Sequence, residues 1–248
     1  MSLELNTSID FLKKRVDATL SAQTAFATEW TWPLRTILEW QSDSEQLDKS
    51  VDNSLASLAI AATTKANSAR GILDARLAVI HQQTLGMVTA FRVRADRDPA
   101  HKPVVNELSA RGTSRREIED EGTALLSAWK EEFGVTFTSG TAVTYDSFHT
   151  LFIGAPAVDA TPGVDATPAV PSLRTLKQAL SDTATIERKK VGAVSVLLNR
   201  VETDVQDWYS EALVTFPAGT INGDLVRAIP TTADYGTATP ATPTPPPV

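Results

Sequence analysis

Between Leu47 and Phe91 three apolar rows run side by side, each repeating at intervals of eleven: Leu47, Leu58, Ala69, Ile80 and Phe91; Val51, Ala62 and Leu73; Leu55, Ala66, Leu77 and Val88. Eleven residues in three turns is a period of about 3.67, so such a stripe stays close to parallel with the helix axis. The pattern predicts one long, nearly straight central helix, roughly 70 Å at about 1.5 Å per residue. A stripe of that length needs partner helices along all of it. Ala62, Ala66 and Ala69 narrow it where a neighbouring backbone can come close.

The partners lie on either side. Ile9, Leu12, Val16, Leu20, Phe26 and Trp30 at helical spacing predict a first helix starting near Ser8. Pro33 interrupts it and can serve as the first position of a kinked second segment through Leu34, Ile37, Leu38 and Trp40. Gln41 to Ser44 is then a turn, with Ser42 or Ser44 capping the central helix. Asp98-Pro99 and Lys102-Pro103 stop that helix. A third helical stretch starts near Pro103 or Val104, weakens at Gly112 and restarts at Ser114, where Glu117 completes a capping box. Ile118, Leu125, Trp129 and Phe133 form its stripe and Gly134 ends it. Val135 to Ala142, β-branched and small, is expected to be extended, and Tyr145, Phe148, Leu151 and Phe152 to form one short helix.

Pro171 and Ser172 open the last long helix, in which Val191, Val194, Leu198, Val201, Val205, Trp208 and Ala212 alternate spacings of three and four. Its earlier turns, Leu173, Leu176, Leu180 and Ile186, are less regular, and Pro217 ends it. Before it, within 154–171, Val-Asp-Ala-Thr-Pro occurs twice in a proline-rich, low-complexity insert. After it, Ile221, Leu225, Val226 and Ile229 are expected to lie back along the helices, and Thr237 to Val248 has the composition of disorder. The expected fold class is all-α: an elongated antiparallel up-down-up-down bundle of four principal helices over residues 1–216, with an irregular to disordered tail at 217–248.

Composition changes this picture little. Of 248 residues, 42% are hydrophobic and 21% charged, which allows a buried core, and a formal charge of -7 argues against a general nucleic-acid coat. There are no cysteines, which removes disulfides, thiolate nucleophiles and thiolate metal ligands. Met1 to Asp10 has no basic segment followed by an apolar run, so no secretory signal is expected. No stretch approaches the roughly 18 uninterrupted apolar residues of a membrane span. The default expectation is a cytoplasmic protein, with signal-independent export open.

Local signatures of chemistry are missing. The sequence has no Gly-x-Ser-x-Gly nucleophile turn, no phosphate-cradling glycine loop and no Gly-x-Gly-x-x-Gly. His81, His101 and His149 each lack the glutamate three residues earlier that bundle di-iron sites use. His81, beside the Ile80 row, is expected to be a hydrogen-bonded or half-exposed histidine, and His101 with Asp96 and Asp98 a solvated turn rather than a metal cluster. No cofactor, metal or small-molecule substrate is expected.

Two groups remain as candidate partner-binding residues. Arg92, Arg94, Arg97, Arg111, Arg115 and Arg116, with Lys102 and, near the same pole, Lys13, Lys14 and Arg15, form a basic cluster that could dock an acidic partner or nucleic acid. Against it, arginines complement a helix C-terminus, and Arg115 with Glu119 and Arg116 with Asp120 are ordinary i,i+4 pairs. Trp30, Trp32 and Trp40 are either core packing at a helix kink or an aromatic contact surface. The leading functional expectation is a non-enzymatic structural or assembly protein acting through protein partners or self-association. The alternatives are a membrane-active, pore-forming-like bundle with its inserting tongue at Phe148 to Val158, and the acidic-partner or nucleic-acid docking module.

Overall fold

The computed structural model describes residues 2–138, 142–158, 168–231 and 233, with nothing said of the side chains of Ser2 and Leu3. The fold is all-α: among the described residues no strand forms, and an isolated antiparallel bridge joins Ala155 to Val170. The helices are α1 (Ser2–Phe26), α2 (Ile37–Leu47), α3 (Leu55–Arg97), α4 (Lys102–Glu107), α5 (Arg115–Ala128), α6 (Tyr145–Ile153), α7 (Leu173–Thr215) and α8 (Ile221–Arg227). A 3₁₀ turn at Pro99–His101 precedes α4, and a π-turn at Trp129–Phe133 extends α5.

Several boundaries follow their caps. Ser114 Oγ accepts the Glu117 N–H at 3.2 Å while Glu117 Oε2 accepts the Ser114 N–H at 2.9 Å, the reciprocal box the sequence predicts. Gly134, with φ 75°, ends the α5 extension in the left-handed region that favours glycine.

Other boundaries differ from expectation, for local reasons. The first helix starts at Ser2, not near Ser8, because the Ser8 hydroxyl donates to Glu4 O at 2.8 Å inside the helix instead of capping it. The second helix starts at Ile37, because Thr36 and Glu39 form a capping box that prevails over Pro33. Gln41 to Ser44 therefore lies within α2, and the true break is Asp48–Ser54. There Asp48 Oδ1 accepts the Ser50 N–H at 2.8 Å, Asn53 takes φ 63°, and Ser54 Oγ accepts the Ser57 N–H at 3.0 Å to cap α3. Leu47 and Val51 thus precede α3. Ile186 is exposed and leaves the α7 stripe. The segment expected to be extended opens with a turn, Phe137 N–H to Gly134 O at 3.0 Å, and residues 139–141 lie outside the described set.

The chain divides into two compact units at Thr64/Lys65 within α3 and at Thr185/Ile186 within α7. The first unit packs Leu12, Val16 and Phe26 of α1 against Val201, Val205 and Trp208 of α7, with Trp32, Trp40 and Leu47 completing the core. Phe26 stacks on Trp208 at 6.2 Å and meets Phe216 at 4.5 Å. Part of the segment after Pro217 is helical: α8 adds Val226, and Ile229 follows, both buried in this core, while Ile221 and Leu225 stay exposed. A fully buried side chain of this size contributes about 1.5–3 kcal/mol relative to its exposed state.

In the second unit Leu77, Ile80 and Phe91 of α3 pack with Leu125, Trp129 and Phe148. Phe91 stacks on Phe133 at 4.0 Å. At the base of the low-complexity insert, Arg76 Nη1 donates to Leu151 O at 3.0 Å and Pro171 O at 3.3 Å. Gly154 takes φ 78° there, and a Cβ on it would lie 2.4 Å from Val170 O, so glycine is required. Residues 159–167 of the insert and the segment Thr237 to Val248 lie outside the described residues.

Candidate interaction surfaces

The core face of α3 follows the eleven-residue rows: Ala62, Leu73, Thr84 and Ala95 are buried at that interval, as are Ala66, Leu77 and Val88. The opposite face within the second unit has an unusual composition. Ile72, Val79, Gly86 and Val93 are spaced by seven, a step that drifts only about 20° around a helix, so they form one line. Ile72 is 54% exposed, Val79 40% and Val93 53%. Ser68, Gly71, Ala75, Ala78, Gln82 and Thr89 flank that line and are exposed as well. None of these positions carries an ionisable group. The exposed positions of α7, a helix of the same 43 residues, include Arg174, Lys177, Asp182, Arg188, Glu202 and Asp207. Water-facing helix positions are ordinarily charged or polar in this way, which makes the α3 face the exception.

The glycines on this face have no steric reason within the chain. Among the described residues, a Cβ at Gly71 or Gly86 would meet nothing within 4 Å. Beside Gly86 lies an open cavity of about 290 Å³ lined by Gln82, Gln83, Met87 and Val143. Gln83 Oε1 is buried and has no hydrogen-bond partner among the described residues.

A second cleft of about 280 Å³ lies between α3, α5 and α7, with a floor of Leu73, Leu77, Leu173 and Leu180. Two ion pairs border it. Arg115 Nε and Nη2 bond Asp74 Oδ1 and Oδ2 at 2.7 and 2.9 Å, and Lys177 Nζ meets Glu119 Oε2 at 2.7 Å. The Arg115 hydrogen bonds hold the Asp74 carboxyl below its ordinary range and raise the Arg115 guanidinium in turn. These charges are spent on one another across helices. Among the described residues no group of three or more His, Asp or Glu side chains could hold a metal ion.

The predicted basic cluster is divided by its own partners. Arg115 pairs with Asp74 on α3 and not with Glu119, which pairs with Lys177 instead; the expected i,i+4 contact is displaced because α3 and α7 offer better-placed opposite charges. Arg116 does pair with Asp120 at 3.6 Å. Arg92 Nη2 donates to Leu108 O at 3.4 Å, and the Arg111 N–H donates to Glu121 Oε1 at 2.9 Å. Arg94 and Arg97 are exposed at the end of α3. Lys102 meets Asp96 at 3.8 Å, so acidic residues interleave the basic ones. Lys13, Lys14 and Arg15 belong to the other unit, where Arg15 is buried. His101 lies 3.5 Å from Asp98 and 3.8 Å from Glu132, and His81 is half-buried with Nδ1 unpaired among the described residues.

The tryptophans take the core-packing reading. Trp32 and Trp40 are buried and stack at 6.0 Å, and Trp32 Nε1 donates to Glu211 Oε2 at 2.9 Å. Trp30 is half-buried against Trp208 at 5.7 Å and Phe216 at 5.8 Å. Trp32 and Trp40 therefore offer no aromatic contact surface, because their rings are already covered by α2 and α7 side chains. The tongue expected at Phe148 to Val158 begins in α6, held by buried Phe148 at 6.2 Å from Trp129. No helix among the described residues is long and apolar enough to cross a membrane.

Sequence reasoning from apolar periodicity missed the α3 outward face, because its signal is an absence: a seven-residue line with no charge on it. Compared with family models, curated proteins and solved structures, the chain matches none.

Proposed function

We propose that this chain is a non-enzymatic structural or assembly protein that works through protein–protein contacts, with the outward face of α3 as its contact surface. The observation that carries the reading is that exposed, charge-free line from Ile72 to Val93. Depletion of charge distinguishes the core of protein interfaces from the rest of a surface, and contiguous exposed apolar area marks contact sites. The basic cluster supports a docking role less well, since Arg115 and Arg116 are paired and acids lie among the rest.

The direction of the two long helices belongs to the same proposal: α3 and α7 run antiparallel, whereas the expected up-down-up-down bundle would run its second and fourth helices parallel. What supports it is that Ala56 and Ala59 of α3 cluster with Val194 of α7 in one unit, while Leu73 and Leu77 line a cleft with Leu173 and Leu180 in the other. Numbers rise along α3 as they fall along α7.

A photo-crosslinking residue placed at Ala75 in the source cell tests the contact surface, with the exposed Thr203 of α7 as the reference position. The expected result is discrete protein adducts from position 75 and few from 203. Equal or absent adducts at the two positions would overturn the reading.

A further inference from the structure

We infer that the occupant of the α3 outward face is a second copy of this chain, docked antiparallel about a two-fold axis at Val79. This rests on the contact-surface reading above and names the partner for it. Ile72 lies seven residues before Val79 and Gly86 seven after it, each about 10 Å away along the helix. A two-fold axis at Val79 sets the Ile72 of one copy level with the Gly86 of the other, twice. Ile72 is an exposed knob, and Gly86 is a hole: among the described residues nothing lies within 4 Å of where its Cβ would be, and the cavity of about 290 Å³ opens beside it. Knobs of one helix entering holes of another are how paired helices lock their register. Ala75, small and exposed one turn before Val79, lets the two backbones approach.

Charge points the same way. An isologous interface sets a surface against itself, so any charge near the axis meets its own kind. The α3 face avoids that penalty along the line, since Ile72, Val79 and Gly86 with Ser68, Ala75, Gln82 and Thr89 carry no charge, and Arg76 on the other flank is turned to Leu151 O and Pro171 O. Area then sets the strength. About this axis the face runs from Ser68 to Ala90, about 33 Å, and a contact band about 10 Å wide covers on the order of 300 Å² of each copy. A stable interface buries about 800 Å² per partner, so the helix pair alone makes a weak, reversible dimer. Each copy carries a formal charge of -7, so raising salt strengthens this dimer, opposite to the behaviour of a basic docking site.

The chain has no cysteine, so single cysteines report contacts without background. In the purified full chain under mild oxidation, Val79→Cys is expected to form a covalent dimer, and Ile72→Cys mixed with Gly86→Cys to cross-link more than either alone. Thr203→Cys, exposed on α7, is the reference and should remain monomeric. Sedimentation of the cysteine-free chain should show mass rising with concentration, and Val79→Glu should abolish that rise without changing the helical spectrum. A monomer at every concentration, or cross-linking at Val79→Cys no greater than at Thr203→Cys, overturns the inference. So does a photo-crosslinking residue at position 79 that, in a monomer, joins to residues 232–248 of its own chain. If these tests fail while position 75 still captures other proteins in the cell, the contact-surface reading stands and the second copy is excluded as the partner.

Discussion

Arg15→Met is expected to stabilise the protein, although it removes a charged, hydrogen-bonding residue. Arg15 is 1% exposed in the core of the first unit. Its Nη2 donates to Gln206 Oε1 at a long 3.4 Å, while Nε and Nη1 are buried with no partner among the described residues, as is the Thr19 hydroxyl one turn further along α1. Burial pushes the guanidinium pKa down, only partly opposed by the Glu202 charge. The sign of the linkage follows: a base whose folded pKa is depressed carries its destabilising cost at every pH below that value. For an arginine this includes all working conditions, so pH cannot relieve the cost and substitution can. An unsatisfied buried group costs about 1–3 kcal/mol, and the long bond to Gln206 returns at most about 1 kcal/mol. Methionine keeps the aliphatic stem and needs no partner, while the exposed Gln206 regains water. The expected gain is about 1–3 kcal/mol, by analogy with buried charges replaced by apolar residues of similar volume. At this chain length that raises Tm by about 2–4 °C per kcal/mol. Urea unfolding followed by tryptophan fluorescence measures it, since Trp30 and Trp208 belong to the same core. A loss of stability greater than about 1 kcal/mol would refute the reasoning and mean that the guanidinium is satisfied by an internal water or anion.

Asp43 bonds both Arg35 and Arg200, and Arg35 also meets Asp204 at 3.0 Å and lies over the Trp40 ring at 4.5 Å. Asp43→Asn should cost about 3 kcal/mol or more in chemical denaturation, because it leaves a nearly buried guanidinium under-compensated. Val201→Asp places an unpaired charge in a fully buried position and should cost more than about 3 kcal/mol, whereas Thr64→Asp on an exposed face should be close to neutral in the same assay. The Ser114 and Thr113 N–H groups hold the Glu117 carboxyl below its ordinary 4.5, so its contribution is present above that pH and lost as pH falls through the lowered value. Glu117→Gln should flatten the acid limb of the Tm profile below about pH 4.5.

The features legible in the sequence were those with a short range. The eleven-residue rows of α3 and the three-and-four stripe of α7 predict which sides are buried, because helical period alone sets which side chains share a face. Even Thr84, polar by type, is buried where its row requires. Ser114 with Glu117 and Gly134 mark their boundaries because caps act over three or four residues. The competition between Pro33 and Thr36 for the start of α2 was harder, since both are valid first-turn signals and the packing of Trp32 on Trp40 favours the later one. Only the tertiary structure decided the rest. Arg115 pairs with Asp74, 41 positions away, because α3 and α5 are brought side by side. Arg15, Thr19 and Gln23 are buried because the face of α1 they occupy meets α7, with Trp208 Nε1 donating to Gln23 Oε1 at 2.6 Å. The uncharged line on α3 is a surface and not a core for the same reason: a sequence can state that a helix face lacks charge, but whether that face is covered depends on how many neighbours the folded chain places around it.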